Sequence, residues 1–497
     1  MYMKLIYKIG LGIVLLTGIV SCRKFLDVKP IDSLSGNDFW KTQEDALHAI
    51  SGAYSLLLAK FTQAPMYNVG DFRPGNWNWF AKVNLMTIAD NDLNNPDINL
   101  QDNASAILDW SVFYQSIAEC NLAIDRIPGI DDPGFSEGDK RALVAEARFI
   151  RDFTYFYMVR LYSDVPLQLD PYDTSPKPRV DMLTVLDTCL ADLETAKNDL
   201  PVSYTDPTNR AVRATQGAAL TLMANIYMWK AGFDKANQKA YWQKAADLAK
   251  QVMDLGAYRL VPYTKETFPD IFKGRSEEGI FELSLDINYG EQFHGLIAQW
   301  VLHEPIIHSN GAVYGGYGSE ITAKREFLDQ LYPSGIPDDR FTLWFDDPYS
   351  TKNPQSAMFL KFSAVSNPST RDYDANFILF RYAGLILLRA EALADLGDNG
   401  PAIELLNMIR QRANTPPYVG GGGPALQDAI FLEREKELMG EGDRWYTLIR
   451  TGRITDQKWC ETHLTQQEMQ EKAWTWPIAT ASIQDNPLVS QNPYWAK

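Results

Sequence analysis

Residues 142–161 read ALVAEARFIRDFTYFYMVRL, and this stretch decides the class of fold. Its apolar side chains recur at a spacing of three or four residues, at Leu143, Ala147, Ile150, Phe153, Tyr157 and Leu161. Because an α-helix completes a turn in about 3.6 residues, these side chains lie along one stripe. The stretch therefore predicts a long helix with a buried face.

The same period recurs elsewhere, over residues 214–231, 240–255, 376–397 and 401–413. Thr215 is the predicted N-cap of the first, because its hydroxyl can accept a hydrogen bond from a free N–H of the first turn. The third is apolar on nearly all sides, which predicts a helix buried between others. Alanine-rich helix–turn–helix units of this kind resemble tetratricopeptide units. The predicted fold is mostly α, a tetratricopeptide-like helical scaffold.

The scaffold is interrupted by segments of another character. Residues 62–110 and 256–375 are rich in Gly, Pro, Asn and aromatic residues and have little helical period. They predict an irregular, loop-rich region with short strands, and the alternation over residues 280–285 predicts one of the strands. We expect a single domain over residues 22–497, with the scaffold at about 22–61, 111–255 and 376–497. The glycine run at 420–423 predicts a flexible loop between two helices.

Composition excludes several classes of protein. Of the 497 residues, 45% are hydrophobic and 22% are charged, which excludes a disordered or collagen-like chain. The formal net charge of −16 disfavours a nucleic acid as partner. Four cysteines in this length exclude a disulfide-stapled scaffold. Cys120, Cys189 and Cys460 are predicted to be separate core residues, and a single disulfide between two of them is the alternative.

The first residues have the pattern of an export signal. Lys4 and Lys8 precede an uncharged run over residues 9–20, which is too short to cross a bilayer as a helix. The run ends in GIVSC at residues 18–22, which resembles the lipobox of bacterial lipoproteins. We expect residues 1–21 to be a lipoprotein signal peptide and Cys22 to carry lipid chains that anchor the protein to a membrane. A plain secretory signal is the alternative.

Three carboxylates suggest a catalytic alternative. Glu433, Glu437 and Glu441 recur at every fourth position, as on one face of a helix, and paired carboxylates can serve a glycoside hydrolase. However, Arg434, Lys436 and Arg444 are interleaved with them, and neighbouring cations lower the pKa that a general acid needs. We therefore favour a structural helix laced with salt bridges, and predict no catalytic residue, no metal site and no cofactor.

Aromatic residues beside polar ones in the loop-rich region are the candidate ligand site. The first group is Asp71, Arg73, Asn76, Trp77, Asn78 and Trp79, and the second is Tyr289, Trp300, Tyr314 and Tyr317. Sugar rings stack their apolar faces on such side chains, while their hydroxyl groups need fixed polar partners. The alternative is that the large rings pin long loops to the core.

A series of short motifs resembles one family, the SusD/RagB-like outer-membrane nutrient-binding lipoproteins of Bacteroidetes-type bacteria. Motifs of the N-terminal half are CRKFLD at 22–27, FW at 39–40, AY at 53–54, AEARFIR at 145–151 and DVPL at 164–167. Those of the C-terminal half are FRYA at 380–383, AEA at 390–392, NMIRQRA at 407–413, EGDRW at 441–445, WPI at 476–478, NPL at 486–488 and QNP at 491–493. Their order over most of the chain makes the resemblance specific.

The resemblance implies a tetratricopeptide-like scaffold that carries an irregular region, and a binding protein rather than an enzyme. Such proteins are lipid-anchored at the outer membrane and exposed at the cell surface. They capture glycans, or peptides in the RagB-like branch, and deliver them to a SusC-like TonB-dependent transporter. The matched motifs belong to the scaffold, so the ligand residues are not carried over from the family. We expect an oligosaccharide ligand, with a peptide as the alternative and glycoside hydrolysis as the least favoured.

Overall fold

The computed structural model describes residues 39–62, 67, 69–80, 88, 91, 93, 105–285, 297–306, 318–365 and 375–496. Cys22 and the candidate ligand residues Tyr289, Tyr314 and Tyr317 lie outside these ranges. The lipid anchor and the roles of these three tyrosines therefore stay predictions.

Helices make up most of the described chain, which confirms the predicted mostly helical fold. The long helices are Gln43–Thr62, Ser111–Arg126, Glu137–Tyr162, Met182–Ala196, Gln216–Phe233, Gln238–Asp254, Tyr382–Leu396, Asn399–Arg412 and Pro424–Leu438. The short helices are Val69–Phe72, Ser105–Leu108, Phe268–Lys273, Ile297–Val301, Arg325–Leu331, Asp339–Trp344, Arg444–Arg450, Gln466–Gln470 and Thr480–Asp485. The short ones lie in the loop-rich segments and near the C-terminal end.

Polar side chains fix where the long helices begin. Ser136 and Thr215 each accept a hydrogen bond from a backbone N–H in the first turn, which satisfies a donor that has no partner within the helix. The N-cap predicted at Thr215 is thus confirmed. The helix predicted over residues 142–161 is also confirmed, and it extends from Glu137 to Tyr162.

The long helices pack side by side in a continuous array. Each long helix contacts the next one in chain order. This includes Gln238–Asp254 and Tyr382–Leu396, which the loop-rich segment separates in the sequence. Alanines such as Ala218, Ala219 and Ala224 are fully buried on the contacting faces. Because small side chains let neighbouring helix axes approach closely, these residues produce the tight pairing of a tetratricopeptide-like scaffold.

The start of the 376–397 stretch differs from the prediction. Residues 377–381 form the strand Phe377–Arg381, and the helix begins only at Tyr382. The strand pairs antiparallel with Gly279–Leu283, which is the strand predicted over residues 280–285. Short apolar runs rich in Phe and Ile are compatible with either a helix or a strand. Here the run can pair with the edge of another strand, and this pairing favours the strand. The prediction of a helix was therefore wrong for residues 377–381.

Two-stranded antiparallel sheets organise the loop-rich region. The pairs are Trp77–Trp79 with Ile321–Ala323, Val165–Pro166 with Arg179–Val180, Gly279–Leu283 with Phe377–Arg381, and Phe345–Asp346 with Met358–Phe359. The first pair contains three of the candidate ligand residues. It joins the two loop-rich segments of the sequence to each other.

Two smaller expectations are settled by the same structure. Cys120, Cys189 and Cys460 are buried free thiols, which confirms that they are separate core residues. Residues 420–423 lie between the Asn399–Arg412 and Pro424–Leu438 helices, as predicted for the glycine run. In the described ranges, no helix combines the length and apolar composition that crossing a membrane requires.

Candidate functional site

The strand Trp77–Trp79 presents the candidate aromatic residues. Trp77 lies opposite Ala323, and Trp79 lies opposite Ile321. The pairing continues at Phe80, whose backbone N–H donates to the carbonyl of Glu320 at 2.9 Å. The aromatic residues at 77–80 are therefore held by main-chain hydrogen bonds, and the strand fixes which side of the sheet each ring occupies.

The rings around this strand form an aromatic cluster that leaves part of its surface open. The Phe72 ring centroid lies 4.9 Å from that of Trp79 and 5.6 Å from that of Trp300. Trp77 and Trp300 are each only 3% exposed, so they belong to the core of the cluster. Trp79 is half-buried, and Phe80 is 41% exposed. Trp79 and Phe80, which we call the aromatic platform, are therefore the rings that can meet a ligand.

The indole nitrogen of Trp79 adds a polar feature to the aromatic platform. Nε1 is buried and has no hydrogen-bond partner among the described residues. A buried indole N–H ordinarily finds an acceptor, because leaving it unpaired costs about 1–3 kcal/mol. Asn78, between Trp77 and Trp79 in the strand, is half-buried and carries the nearest side-chain amide in the sequence.

Asp71 lies under the aromatic cluster and is 2% exposed. Its carboxylate accepts hydrogen bonds from the backbone N–H groups of Gly440, at 3.2 Å, and Gly442, at 2.6 Å. Burial raises the pKa of Asp71 to about 7, although these two N–H groups act in the opposite direction. Both oxygens thus have partners from the scaffold, so Asp71 fastens the Val69–Phe72 helix to residues 440–442.

Arg73 is fully buried and has the most partners in this segment. Its Nη1 donates to the carbonyl oxygens of Trp474, at 2.8 Å, and Thr475, at 3.2 Å. The guanidinium carbon lies 4.1 Å from the ring centroid of Trp445 and 5.1 Å from that of Trp476. Planar stacking and several directed N–H donors suit an arginine that joins segments. Arg73 therefore ties the aromatic segment to the C-terminal part of the chain.

Asn76 completes this set of attachments. Its side-chain oxygen accepts from Nε of Arg444 at 3.0 Å, and its backbone oxygen accepts from the N–H of Lys324 at 2.9 Å. Three of the four polar residues that the sequence associated with sugar hydroxyl groups thus face the protein in this structure, and Asn78 is the exception. Asp71, Arg73 and Asn76 support the aromatic platform from below.

The sequence pattern separated these roles only in part. The structure brings Trp79 and Trp300 together, with ring centroids 6.3 Å apart, although 221 positions separate them in the chain. Phe80 was not among the predicted ligand residues, because a single phenylalanine after two tryptophans looks the same whether it is buried or exposed. Its neighbour Trp79 was the only signal in the sequence that could have drawn attention to it.

The carboxylates that suggested a hydrolase lie elsewhere, in a buried network of ion pairs. Glu437 accepts from the hydroxyl of Tyr263 at 2.6 Å and pairs with Arg381 at 2.8 Å and Arg340 at 3.0 Å. It also pairs with Arg412. Burial opposes the charged form, but the three guanidinium groups outweigh it and hold the pKa of Glu437 well below its ordinary value. Such a carboxylate is a poor proton donor, so the structural interpretation holds for Glu437.

The partners in this network differ from those that the sequence suggested. Adjacent positions on a helix do not face each other, so Arg434 and Lys436 bind Asp443 and Asp338 instead. Glu441 is not on the same helix, because the helix ends at Leu438. The single face of three glutamates predicted from the spacing is therefore wrong. In the described ranges, no group of three or more His, Cys, Asp or Glu side chains is placed to hold a metal ion.

Two family models match the chain. The SusD family matches residues 345–495, and a family described as starch-binding and associating with the outer membrane matches residues 24–228. A SusD-like protein of Formosa agariphila is 28% identical, over 95% of this chain and 96% of its own length. A SusD-like protein of Bacteroides ovatus is 24% identical, over 86% of this chain and 78% of its own length.

Solved structures agree with the family models. A SusD homolog from Bacteroides thetaiotaomicron is 30% identical and superimposes with a TM-score of 0.84, covering 92% of this chain and 99% of the other. A laminarin-binding SusD-like protein, 20% identical, has the same fold with a TM-score of 0.72 and covers 91% of this chain and 99% of its own. The overall fold is thus shared with these proteins. The chain belongs to the SusD family.

Proposed function

We propose that this protein is a cell-surface lipoprotein that captures oligosaccharides and delivers them to a SusC-like TonB-dependent outer-membrane transporter. The observation that carries the proposal is the aromatic platform, because Trp79 and Phe80 each keep exposed ring surface beside a buried aromatic cluster. Exposed aromatic rings that are held in place beside polar groups suit the faces of sugar rings and their hydroxyl groups. Membership of the SusD family supports the same function.

The proposal divides the candidate residues by role. Trp79 and Phe80 stack against the sugar through their exposed ring surface, while the half-buried Asn78 offers hydrogen bonds to its hydroxyl groups. Trp77, Trp300, Asp71, Arg73 and Asn76 hold the aromatic platform in place. Tyr289, Tyr314 and Tyr317 remain proposed ligand residues on the strength of the sequence.

The first experiment measures binding to the aromatic platform. A panel of oligosaccharides is titrated by calorimetry into the protein lacking residues 1–21, and then into Trp79→Ala and Phe80→Ala. Removing a stacked ring should cost about 1–3 kcal/mol, or about a 5- to 150-fold loss of affinity. Tyr172→Ala is the matched control, because Tyr172 is 56% exposed and lies outside the aromatic platform.

Other outcomes would reject parts of the proposal. If Phe80→Ala and Trp79→Ala bind the selected glycan as the wild type does, the aromatic platform is not the site. If no glycan binds and a peptide mixture does, the ligand class is peptide. Release of reducing sugar that stops on substitution of one carboxylate would make the protein a hydrolase.

The anchor and the transporter are tested separately. With lipidation at Cys22, the wild-type protein should partition with the outer-membrane fraction, and Cys22→Ala should move to the soluble fraction. Affinity purification of the wild type from detergent-solubilised membranes should recover a TonB-dependent transporter. Its absence from the eluate under mild detergent would contradict the proposed delivery step.

A further inference from the structure

A second cleft lies away from the aromatic platform. Its volume is about 320 Å³, and it is lined by residues from two segments, 202–215 and 256–280. It shares no residue with the aromatic platform or with the attachments beneath it. Binding pockets for small molecules begin at about 300 Å³, so the cleft has room for a ligand of one or two linked sugar rings.

Two tyrosine rings line this cleft, and both are fixed in position. The hydroxyl of Tyr258 lies 2.9 Å from Oγ1 of Thr215, and its ring stacks on Tyr382 at a centroid distance of 6.2 Å. The hydroxyl of Tyr204 donates to the carbonyl of Ala214 at 3.0 Å. Each ring is half-buried and belongs to the lining of the cleft, and the Arg213 guanidinium carbon lies 5.0 Å from the ring centroid of Tyr204. A ligand that stacks here does not have to order these side chains, which removes part of the entropic cost of binding.

The charge in the cleft is unbalanced in favour of an anion. Arg259 is paired with Glu277, with 2.6 Å between Nε and the carboxylate oxygen. Arg210 is exposed, makes one long contact of 3.5 Å to the carbonyl of Arg275, and has no carboxylate partner among the described residues. The lining therefore carries one guanidinium group that is not neutralised, in a chain whose net charge is −16.

The backbone beside Arg210 is held in an unusual conformation. Ala211 has φ of 62°, in the left-handed region that residues with a side chain rarely adopt. Its carbonyl oxygen accepts from the backbone N–H of Glu282 at 2.8 Å, and this bond holds the conformation in place. Residues in such conformations occur preferentially at ligand sites, where the surrounding structure supports them. The wall of the cleft that bears Arg210 is therefore pre-organised.

We propose that this cleft is a second ligand site, which binds one or two pyranose rings of which one bears a carboxylate, as in a uronic acid. The tyrosine rings receive the apolar faces of the sugar, and the Arg210 guanidinium binds the carboxylate through paired N–H donors. The site acts independently of the aromatic platform, so it does not require the same glycan. A peptide would instead rely on backbone hydrogen bonds to a strand edge, and competition by a short peptide is one arm of the test.

The experiment compares two disaccharides that differ at C6, which is a carboxylate in one and a hydroxymethyl group in the other. Digalacturonic acid and the corresponding disaccharide of neutral galactose are titrated at low ionic strength and followed by ligand-observed NMR. The wild type should bind the acidic disaccharide more tightly than the neutral one. Arg210→Gln should weaken the acidic disaccharide by about tenfold or more, because charge-assisted hydrogen bonds are lost. Tyr258→Ala should weaken both disaccharides.

Controls separate this site from the aromatic platform and from loss of folding. Arg141→Gln changes another exposed arginine and should bind as the wild type does. Phe80→Ala should lose affinity for the glycan of the aromatic platform and keep full affinity for digalacturonic acid. Equal binding of the two disaccharides, or an unchanged affinity in Arg210→Gln, would overturn the proposal. Displacement of digalacturonic acid by a short peptide at equal concentration would also overturn it.

Discussion

The guanidinium carbon of Arg73 lies 4.1 Å from the centre of the Trp445 indole ring, and both side chains are buried. The two residues join the loop that carries the aromatic platform to a short helix near the C-terminal end of the chain. Burial lowers the pKa of Arg73 to about 9, so the guanidinium remains charged at neutral pH. Its N–H donors are satisfied by backbone carbonyls and Asn91, which makes the attachment sensitive to the shape of the side chain.

Replacing Arg73 with lysine should destabilise the protein although the charge is kept. A lysine cannot stack a planar group on Trp445 and cannot reach the same set of carbonyl oxygens. We expect the free energy of unfolding to fall by about 3 kcal/mol, measured by chemical denaturation. Arg141→Lys, at an exposed position, should change it by less than about 0.5 kcal/mol. Equal effects of the two substitutions would contradict the role of Arg73.

A side chain at position 70 should break the contact between the aromatic segment and the scaffold. A Cβ atom on Gly70 would lie 2.0 Å from the carbonyl oxygen of Gly442. Gly70→Ala should therefore cost about 3 kcal/mol and weaken glycan binding at the aromatic platform. Gly52→Ala is the control, because its Cβ meets no atom within 4 Å inside a helix. It should raise stability by about 0.5–1 kcal/mol. If Gly70→Ala left the thermal unfolding temperature unchanged, residues 70 and 442 would not be in contact.

Neutralising Glu437 should leave buried guanidinium groups without their shared carboxylate. Removing one partner of a buried ion pair costs about 3–5 kcal/mol, because the remaining charge is uncompensated. We expect Glu437→Gln to lower the free energy of unfolding by that amount. Glu404→Gln, at an exposed position on another helix, should have almost no effect. Similar denaturation midpoints for the two variants would argue against the buried network.

The stability of the protein should depend on the protonation of Asp71. Its pKa in the folded protein is raised to about 7, above its value in the unfolded chain, so the folded state holds the proton more tightly. The stabilising contribution is therefore complete below about pH 4 and is lost as pH rises through about 7. We expect the unfolding free energy of the wild type, relative to that of Asp71→Asn, to fall as pH rises from about 4 to about 7 and to level off above that. The other carboxylates titrate in both proteins, so their contribution cancels in the comparison. A difference in unfolding free energy that does not change with pH would refute the raised pKa of Asp71.

Much of the fold could be predicted from local patterns. The helical period over residues 142–161, the cap at Thr215 and the strand near residue 280 all follow from interactions within a few residues. The strand at 377–381 could not be predicted in this way. Its choice of structure depended on Gly279–Leu283, a partner that lies about a hundred positions earlier in the chain.

The candidate site was predicted as a region and not as a set of roles. Aromatic residues in loops often mark binding surfaces, which is why residues 71–80 were proposed. The partly exposed rings of Trp79 and Phe80 do lie in this segment. The same segment contains Asp71 and Arg73, which the sequence associated with a ligand and the structure places against the scaffold. A charged side chain beside an aromatic one has the same sequence pattern whether it contacts a ligand or the scaffold.

The sequence alone determined the helical scaffold, the export pattern and the resemblance to the SusD family, because these rest on periodicity and on short motifs. Only the tertiary structure decided which residues of the aromatic segment are exposed. Arg73 donates to a carbonyl oxygen 401 positions away, and Asp71 accepts from an N–H 371 positions away. Burial and hydrogen bonding at such separations arise from the packing of the whole chain, and no local pattern encodes them.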